Sequence, residues 1–133
     1  MTELEMKREF FKDDIFSTEV TGIKIEAVGK NYAKCSLVLD KKHLNAAGYP
    51  MGGAIYTLAD FTFAVSTNPK PDCVTVTTVS QICYLNPSKG KVLYAESNLI
   101  KDGRSTCFFE IDITDDQGTK IAKVTTTGTH IQK

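Results

Sequence analysis

An apolar helical segment carrying a single charge does most to restrict the folds open to this chain. Residues 53–65 contain no proline and one charged side chain, Asp60, and are otherwise almost wholly small or apolar. This composition is typical of a helix buried on most of its faces. An ionised carboxylate in apolar packing is costly unless it is paired, hydrogen-bonded or protonated. Asp60 is therefore a satisfied structural residue, a residue facing solvent, or a functional group.

The residues just before this helix favour an anion-binding helix start. Gly48, Pro50, Gly52 and Gly53 predict a tight turn with little side-chain cover. The first four N–H groups of a helix have no intrahelical acceptor, and the macrodipole adds partial positive charge there. Such a start can hold an anion or a developing oxyanion. The carboxamide of Asn45 can orient a carbonyl or a water nearby.

The spacing of these groups has a consequence for assembly. Gly52 and Asp60 are eight residues apart, which is roughly 12 Å along a helix axis and too far for both to touch one reacting carbonyl. If two such helices lay antiparallel across a two-fold axis, Gly52 of one would meet Asp60 of the other. The hypothesis gives two equivalent composite sites per dimer and predicts that a monomeric variant is inactive.

The composition excludes several other classes of function. The chain of 133 residues has 16 basic and 16 acidic side chains, which argues against a general nucleic-acid or membrane-surface binder. The charged N-terminus does not resemble a signal peptide, and no apolar run reaches membrane-spanning length. We expect one domain over residues 1–133, located in the cytosol, with neither nucleic acid nor membrane as a partner.

The cysteines and histidines do not form a local metal-binding motif. The four cysteines fall singly in apolar surroundings without Cys-x-x-Cys spacing, so we expect buried, reduced thiols and no metal site. They are Cys35, Cys73, Cys83 and Cys107. His43 precedes Asn45 closely enough to lie near a site, but a lone histidine in a loop predicts an ordinary surface residue.

Periodicity in the rest of the chain predicts a short helix and six strands. The helix covers residues 3–16, and the strands cover residues 22–28, 32–39, 74–85, 92–100, 106–114 and 120–131. In the fifth strand the apolar residues occupy odd positions, so Cys107, Phe109, Ile111 and Ile113 should face a core. This order predicts an α+β fold in which an antiparallel sheet wraps the long central helix.

Together these residues resemble the hotdog-fold acyl-CoA thioesterase superfamily, and within it the PaaI-like thioesterases of the phenylacetic-acid-degradation type. The resemblance covers nearly the whole chain and depends on an ordered set of residues rather than on the glycine pair alone. The set consists of Asn45, Gly48, Met51-Gly52-Gly53, Leu58-Ala59-Asp60, Thr77-Thr78, Asn86-Pro87, Gly90 and Lys101-Asp102-Gly103-Arg104.

The resemblance implies a homodimer with a continuous sheet and with acyl-CoA bound between the protomers. Whether dimers pair further into a homotetramer stays open. It implies that the Gly52 N–H is the oxyanion donor, and that Asn45 supplies the carboxamide. It also implies that Asp60 supplies the carboxylate and Thr78 a hydroxyl, both from the partner protomer. This agrees with the spacing of Gly52 and Asp60.

Met51 departs from the pattern, because many of the similar proteins have a histidine there that helps arrange the loop and the substrate carbonyl. Met51 and Gly53 are still expected to border the substrate, but methionine cannot donate that hydrogen bond. Three functions therefore stay open: an acyl-CoA thioesterase, a non-catalytic acyl-CoA-binding module, and a hydratase or dehydratase of acyl thioesters. The last is disfavoured because no histidine lies in the helix or at its start.

Under the thioesterase hypothesis, Asp60 either activates a water as general base or attacks the thioester itself. Coenzyme A enters as part of the substrate, and no other cofactor is expected. Its phosphates need local cations, and the candidates are also ordinary solvated turn residues: Lys89, Lys91, Lys101 and Arg104. The acyl pocket is expected among aromatic residues that are also candidates for the core: Tyr49, Tyr56, Phe61 and Phe63.

Overall fold

Six strands and two α-helices make up the computed structural model, which describes residues 1–133. The helices are α1 (Glu3–Phe11) and α2 (Gly52–Thr67). The strands are β1 (Ile23–Gly29), β2 (Tyr32–Val38), β3 (Cys73–Tyr84), β4 (Val92–Asp102), β5 (Thr106–Asp115) and β6 (Lys120–Gln132). The central helix and all six strands lie within a few residues of their predicted positions.

All six strands form one antiparallel sheet in the order β1-β2-β4-β5-β6-β3. The strands β1 and β2, β4 and β5, and β5 and β6 pair as consecutive neighbours. The strand β3 instead pairs with β6 and forms one edge of the sheet, so β2 and β4 become neighbours. Every strand contacts α2, and the predicted wrapping of a sheet around a central helix is thereby confirmed.

The core lies between the concave face of the sheet and α2. The alternation predicted for β5 is confirmed, because Cys107, Phe109, Ile111 and Ile113 are all buried. The ring of Phe109 packs edge-to-face on Phe63 of α2, with 5.4 Å between the ring centroids. Burying large apolar side chains of this kind provides the main stabilisation of the fold.

The central helix is largely buried, as its composition predicted, apart from one exposed stripe. One face, carrying Leu58, Phe61 and Val65, packs into the core, but Gly53 and Asp60 are exposed on the opposite face. The prediction that α2 is buried on most of its faces is therefore confirmed, since Gly53 and Asp60 are its only exposed residues. Its small and apolar residues leave a solvent-facing stripe beside Asp60.

The N-terminal region also differs from the prediction of one helix over residues 3–16. The helix α1 starts with a capping box between Thr2 and Glu5 and ends at Phe11. The side chain and carbonyl of Asp14 then accept hydrogen bonds from Ser17 and Thr18, and these bonds begin a separate turn. A π-helical turn follows at Phe16–Thr21.

The C-terminal end of α2 is anchored to the rest of the molecule by hydrogen bonds. The ammonium group of Lys7 donates to the carbonyls of Val65 and Asn68 at the C-terminal end of α2. The side chain of Asn68 accepts from the Thr75 N–H at 3.0 Å and donates to the Thr75 carbonyl at 2.9 Å. The Lys7 bonds satisfy carbonyls that a helix C-terminus would otherwise leave unpaired, and the Asn68 bonds fix α2 against β3.

Two predictions about individual residues are wrong. Cys83 is exposed, since it lies near the end of the edge strand β3, whereas the other three cysteines are buried thiols as predicted. His43 is only 5% exposed. Its Nδ1 accepts from the Asp40 N–H at 2.9 Å, and its Nε2 donates to the Thr21 carbonyl at 2.6 Å. Both nitrogens bond to the chain, which explains why this loop histidine is buried.

Candidate active site

The loop before α2 is held in one conformation by its own hydrogen bonds. Oδ1 of Asn45 accepts hydrogen bonds from the N–H groups of Ala47 at 2.9 Å and Tyr49 at 3.1 Å. Gly48 has a φ of 87°, a conformation that glycine adopts without strain. The Met51 N–H donates to the His43 carbonyl at 2.7 Å. The buried histidine thus helps to fix the start of α2.

The helix start presents two backbone donors that bond to no other atom of the chain. Met51 is the N-cap of α2, and its side chain makes no capping hydrogen bond. The N–H groups of Ala54 and Ile55 bond to the Met51 carbonyl, but those of Gly52 and Gly53 have no acceptor. Unpaired N–H groups at a helix start, with the partial positive charge of the macrodipole, favour an anion or oxyanion.

Two clefts flank this glycine pair. The first has a volume of about 360 Å³ and is lined by Asn45, Gly52 and Tyr84 together with the loop after β3. The Nδ2 group of Asn45 has no partner in the chain and remains free to donate there. The second, of about 340 Å³, is mainly apolar and runs from Gly53 to Phe16 and Val20 of the π-helical turn. A ligand at the glycine pair can extend into both.

Asp60 lies on the open face of α2, seven residues beyond Gly53, so the two positions share one side of the helix. Partial burial raises the pKa of its carboxyl group, and the negative charge of Asp14 raises it further. A hydrogen bond from the Thr77 hydroxyl lowers it, without cancelling the first two effects. The carboxylate is thus a stronger base than an ordinary aspartate.

The hydroxyl beside Asp60 belongs to Thr77 and not to Thr78. A β-bulge in β3 pairs Thr77 with Gly128 and Val79 with Thr127, so Thr78 is the extra residue. Thr77 falls on the side of the sheet that faces α2, while the Thr78 hydroxyl bonds to that of Thr129 on the other side. The placement of Thr78 at the site, which the resemblance implied, does not agree with this geometry.

Within one chain the site is divided into two halves. The Gly52 N–H and the Asp60 carboxylate are separated by roughly 12 Å of helix, so they cannot act on the same carbonyl. Asn45, Gly52 and Gly53 lie together at one end of the open face, and Asp60 and Thr77 lie together further along it. No group of three or more His, Cys, Asp or Glu side chains converges to hold a metal ion.

The sequence profile of the thioesterase superfamily matches residues 47–122, which include the glycine pair, Asp60 and the strands β3 to β5. The chain belongs to the thioesterase superfamily. The match begins two residues after Asn45 and leaves out α1 and the π-helical turn. None of the helices has the length and apolar character needed to span a membrane.

Solved structures of other thioesterases share the fold of this superfamily member. A thioesterase of Haemophilus influenzae matches with a TM-score of 0.87 at 19% identity, over 99% of this chain and 92% of that chain. The PaaI protein of the Escherichia coli phenylacetic acid degradation operon matches with a TM-score of 0.82 at 22% identity, over 97% and 96%. The predicted hotdog fold of the PaaI-like thioesterases is thereby confirmed.

Two further relatives are more similar in sequence. A hypothetical thioesterase of Streptococcus pneumoniae, solved with coenzyme A, is 26% identical with a TM-score of 0.82, over 92% of this chain and 98% of that chain. A curated protein of Archaeoglobus fulgidus named "Putative esterase" is 32% identical over 96 residues, or 71% of this chain. The chain spans 62% of the length of that relative.

The cations predicted to bind coenzyme A lie at opposite ends of this thioesterase-superfamily fold. Lys89 and Lys91 are in the loop between β3 and β4, at the end of the sheet where Tyr84 reaches Gly52. Lys101 and Arg104 are near the other end of β4, about 33 Å along the strand from its first residue. All four are exposed. A single chain does not bring them together around one ligand.

Sequence reasoning missed three residues that border the two halves of the site. Thr77 was not assigned to the site because the alternation of side chains along a predicted strand gives no sign of a bulge. Asp14 was missed because residues 3–16 read as one helix. Tyr84 sits at the end of a predicted strand, and its contact with Gly52 joins residues 32 positions apart, for which no local pattern exists.

Proposed function

We propose that this protein is an acyl-CoA thioesterase that hydrolyses an acyl-CoA to a free acid and coenzyme A. The observation that carries the proposal is the pair of unpaired N–H groups at Gly52 and Gly53, with Asp60 on the same open helix as the base. The superfamily match supports thioester hydrolysis, and the pneumococcal relative solved with coenzyme A supports that substrate class.

The active enzyme is proposed to be a homodimer in which α2 of one chain lies antiparallel to α2 of the other. Two observations support this arrangement: the exposed stripe of Gly53 and Asp60 on α2, and the separation of Gly52 from Asp60 by roughly 12 Å. Each site would then combine the glycine pair of one chain with Asp60 and Thr77 of its partner. The edge strand β3 is free to pair with its copy in the second chain.

In the proposed reaction the thioester carbonyl accepts hydrogen bonds from the glycine N–H groups. As general base, Asp60 takes a proton from a water whose oxygen attacks the carbonyl carbon. The tetrahedral intermediate collapses as the C–S bond breaks and the proton passes to the thiolate. In the alternative route the Asp60 carboxylate attacks the carbonyl carbon and expels coenzyme A as its thiolate, giving an anhydride that water then hydrolyses to the free acid and the restored carboxylate. The raised pKa of Asp60 favours the base role.

The two clefts suggest how the substrate is divided. The apolar cleft at Phe16 and Val20 suits the acyl group, and the cleft at Asn45 suits the pantetheine arm, with Lys89 beyond it. Phe61 and Phe63, predicted as pocket residues, are buried core instead. The hydratase alternative gains no support, because His43 bonds to the chain through both nitrogens. His130 lies beside Thr75, which bonds to Asn68 at the end of α2 opposite the glycine pair.

The test is thiol release from short, medium and aromatic acyl-CoAs by the native chain and by Asp60→Asn. Loss of the base should lower kcat by about 10²- to 10⁴-fold with folding intact. Exposed Asp13 offers a control, since Asp13→Asn removes the same charge at a residue that does not contribute to the raised pKa of Asp60. Equal activity of native chain and Asp60→Asn contradicts the proposal. Binding of acyl-CoA without thiol release from any substrate indicates the non-catalytic module instead.

A further inference from the structure

Tyr84, the last residue of β3, reaches across the sheet edge to the start of α2. Its hydroxyl donates a hydrogen bond to the Gly52 carbonyl at 2.9 Å. The approach is so close that a Cβ atom on Gly52 would lie 2.9 Å from this oxygen and 3.1 Å from Cζ. A side chain at position 52 would therefore displace the end of the tyrosine and with it this hydrogen bond.

The carbonyl that Tyr84 contacts is part of the donor system of the site. The carbonyl of Gly52 and the N–H of Gly53 belong to one peptide group. A hydrogen bond accepted by the carbonyl polarises that group and strengthens its N–H as a donor. It also fixes the plane of the peptide, and hence the direction in which the N–H points. Preorganised direction is what makes backbone donors effective toward an oxyanion.

We propose that Tyr84 is a positioning residue of the oxyanion hole, which orients and polarises the Gly52–Gly53 peptide so that the Gly53 N–H binds the developing oxyanion together with that of Gly52. This inference rests on the thioesterase function proposed above. It adds a second donor to the one that the resemblance implied, and it links that donor to a strand that also carries Thr77.

The surroundings of Tyr84 suit this role better than a purely structural one. The side chain is 51% exposed and lines the cleft at Asn45, so the hydrogen bond is not part of the core. Burial of part of the ring and the neighbouring Tyr56 raise the pKa of Tyr84 above its ordinary value. The phenol therefore stays protonated and can donate throughout the pH range of an assay.

Steady-state kinetics of Tyr84→Phe provide the first part of the test, since phenylalanine keeps the ring and removes only the hydroxyl. Loss of the free energy of one hydrogen bond should lower kcat by roughly two- to tenfold, with KM and the thermal midpoint unchanged. Tyr32→Phe is the matched control. It removes a tyrosine hydroxyl that bonds to Glu96, far from the site, and should leave kcat as it is.

Binding of two unreactive coenzyme A analogues provides the second part. One is a ketone in which CH₂ replaces the thioester sulfur and the carbonyl is kept; the other is a thioether without a carbonyl. Tyr84→Phe should weaken the ketone roughly two- to tenfold and leave the thioether unchanged. The infrared band of the ¹³C-labelled ketone carbonyl should shift to higher frequency in the variant, because the carbonyl is less polarised.

The outcomes separate this inference from the proposed function. Turnover by the native chain together with equal effects on both analogues, or no effect on either, overturns the role of Tyr84 and leaves the thioesterase intact. Selective loss of ketone binding in a chain that releases no thiol supports the role of Tyr84 and contradicts the hydrolytic function. If the native chain binds neither analogue and releases no thiol, both proposals fail.

Discussion

The Ser88 hydroxyl donates a hydrogen bond to Oδ2 of Asp115 at 2.7 Å, and this bond joins the loop after β3 to the turn between β5 and β6. Oδ1 of the same carboxylate accepts from the N–H groups of Gln117 at 3.0 Å and Thr119 at 2.9 Å. Asp115 is only 4% exposed. One buried carboxylate thus holds together two loops at the end of the molecule where Lys89 lies.

This arrangement predicts that the protein loses stability in acid. Burial alone would raise the pKa of Asp115, but the hydrogen bonds from Ser88, Thr119 and Gln117 outweigh it and lower the pKa below the ordinary value. The stabilisation is therefore complete above the pKa of the unfolded chain, about 3.9, and is lost as pH falls through the lower folded value. Asp115→Asn should lower the free energy of unfolding at pH 7 by about 1–3 kcal/mol.

Urea unfolding at a series of pH values measures this effect, and the difference from the native chain should shrink below about pH 4. Exposed Asp13 is the control position, because its side chain makes no hydrogen bond or salt bridge. A difference that stays constant down to the lowest pH would contradict the role assigned to the ionised carboxylate.

Gly128→Ala should destabilise the core. A Cβ at this position in β6 would lie 2.6 Å from Cζ of Phe63, 2.9 Å from Sγ of Cys107 and 3.1 Å from Cγ2 of Thr75. Overpacking of this kind typically costs about 1–3 kcal/mol. Gly29→Ala is the matched control, since its new Cβ would meet Tyr32 at an ordinary 3.6 Å. Equal denaturant midpoints for the two variants would show that the sheet relaxes around the methyl group.

The pH profile of kcat/KM should report the surroundings of Asp60. If Asp60 is the general base, activity falls as pH drops through its pKa, and that limb lies above the range of an ordinary aspartate. Asp14→Asn removes a negative neighbour and should move the limb to lower pH. Asp13→Asn should leave it in place. A limb that both variants leave unchanged would assign it to another group.

Mixed dimers test whether each site uses two chains. Asp60→Asn removes the carboxylate, and Gly53→Pro removes a donor while proline is tolerated in the first turn of a helix. Each variant alone should be nearly inactive. Refolding them together at equal amounts should restore about a quarter of native activity, because half the dimers are mixed and each has one complete site. No recovery in dimers shown to be mixed would mean that a site needs only one chain.

The sequence was sufficient where local geometry decides the structure. The constant rise of a helix predicted the separation of Gly52 from Asp60, and the period of two in β5 predicted the side chains that face the core. The sequence was insufficient where a residue far away in the chain decides the structure. The burial of His43 depends on the Thr21 carbonyl, and the choice between Thr77 and Thr78 depends on how β3 pairs with β6.

The bulge in β3 also limits how residue roles can be transferred between relatives. In a sequence alignment Thr77 and Thr78 are simply two adjacent threonines. Either one can be aligned with a hydroxyl residue of another thioesterase. In this chain they belong to opposite surfaces of the sheet, one facing α2 and the other bonded to Thr129. Deleting one of these two threonines would leave the sequence motif almost unchanged yet remove the bulge that places a hydroxyl on each surface. Roles on this strand are therefore better assigned by the pairing partner on β6 than by position in the motif.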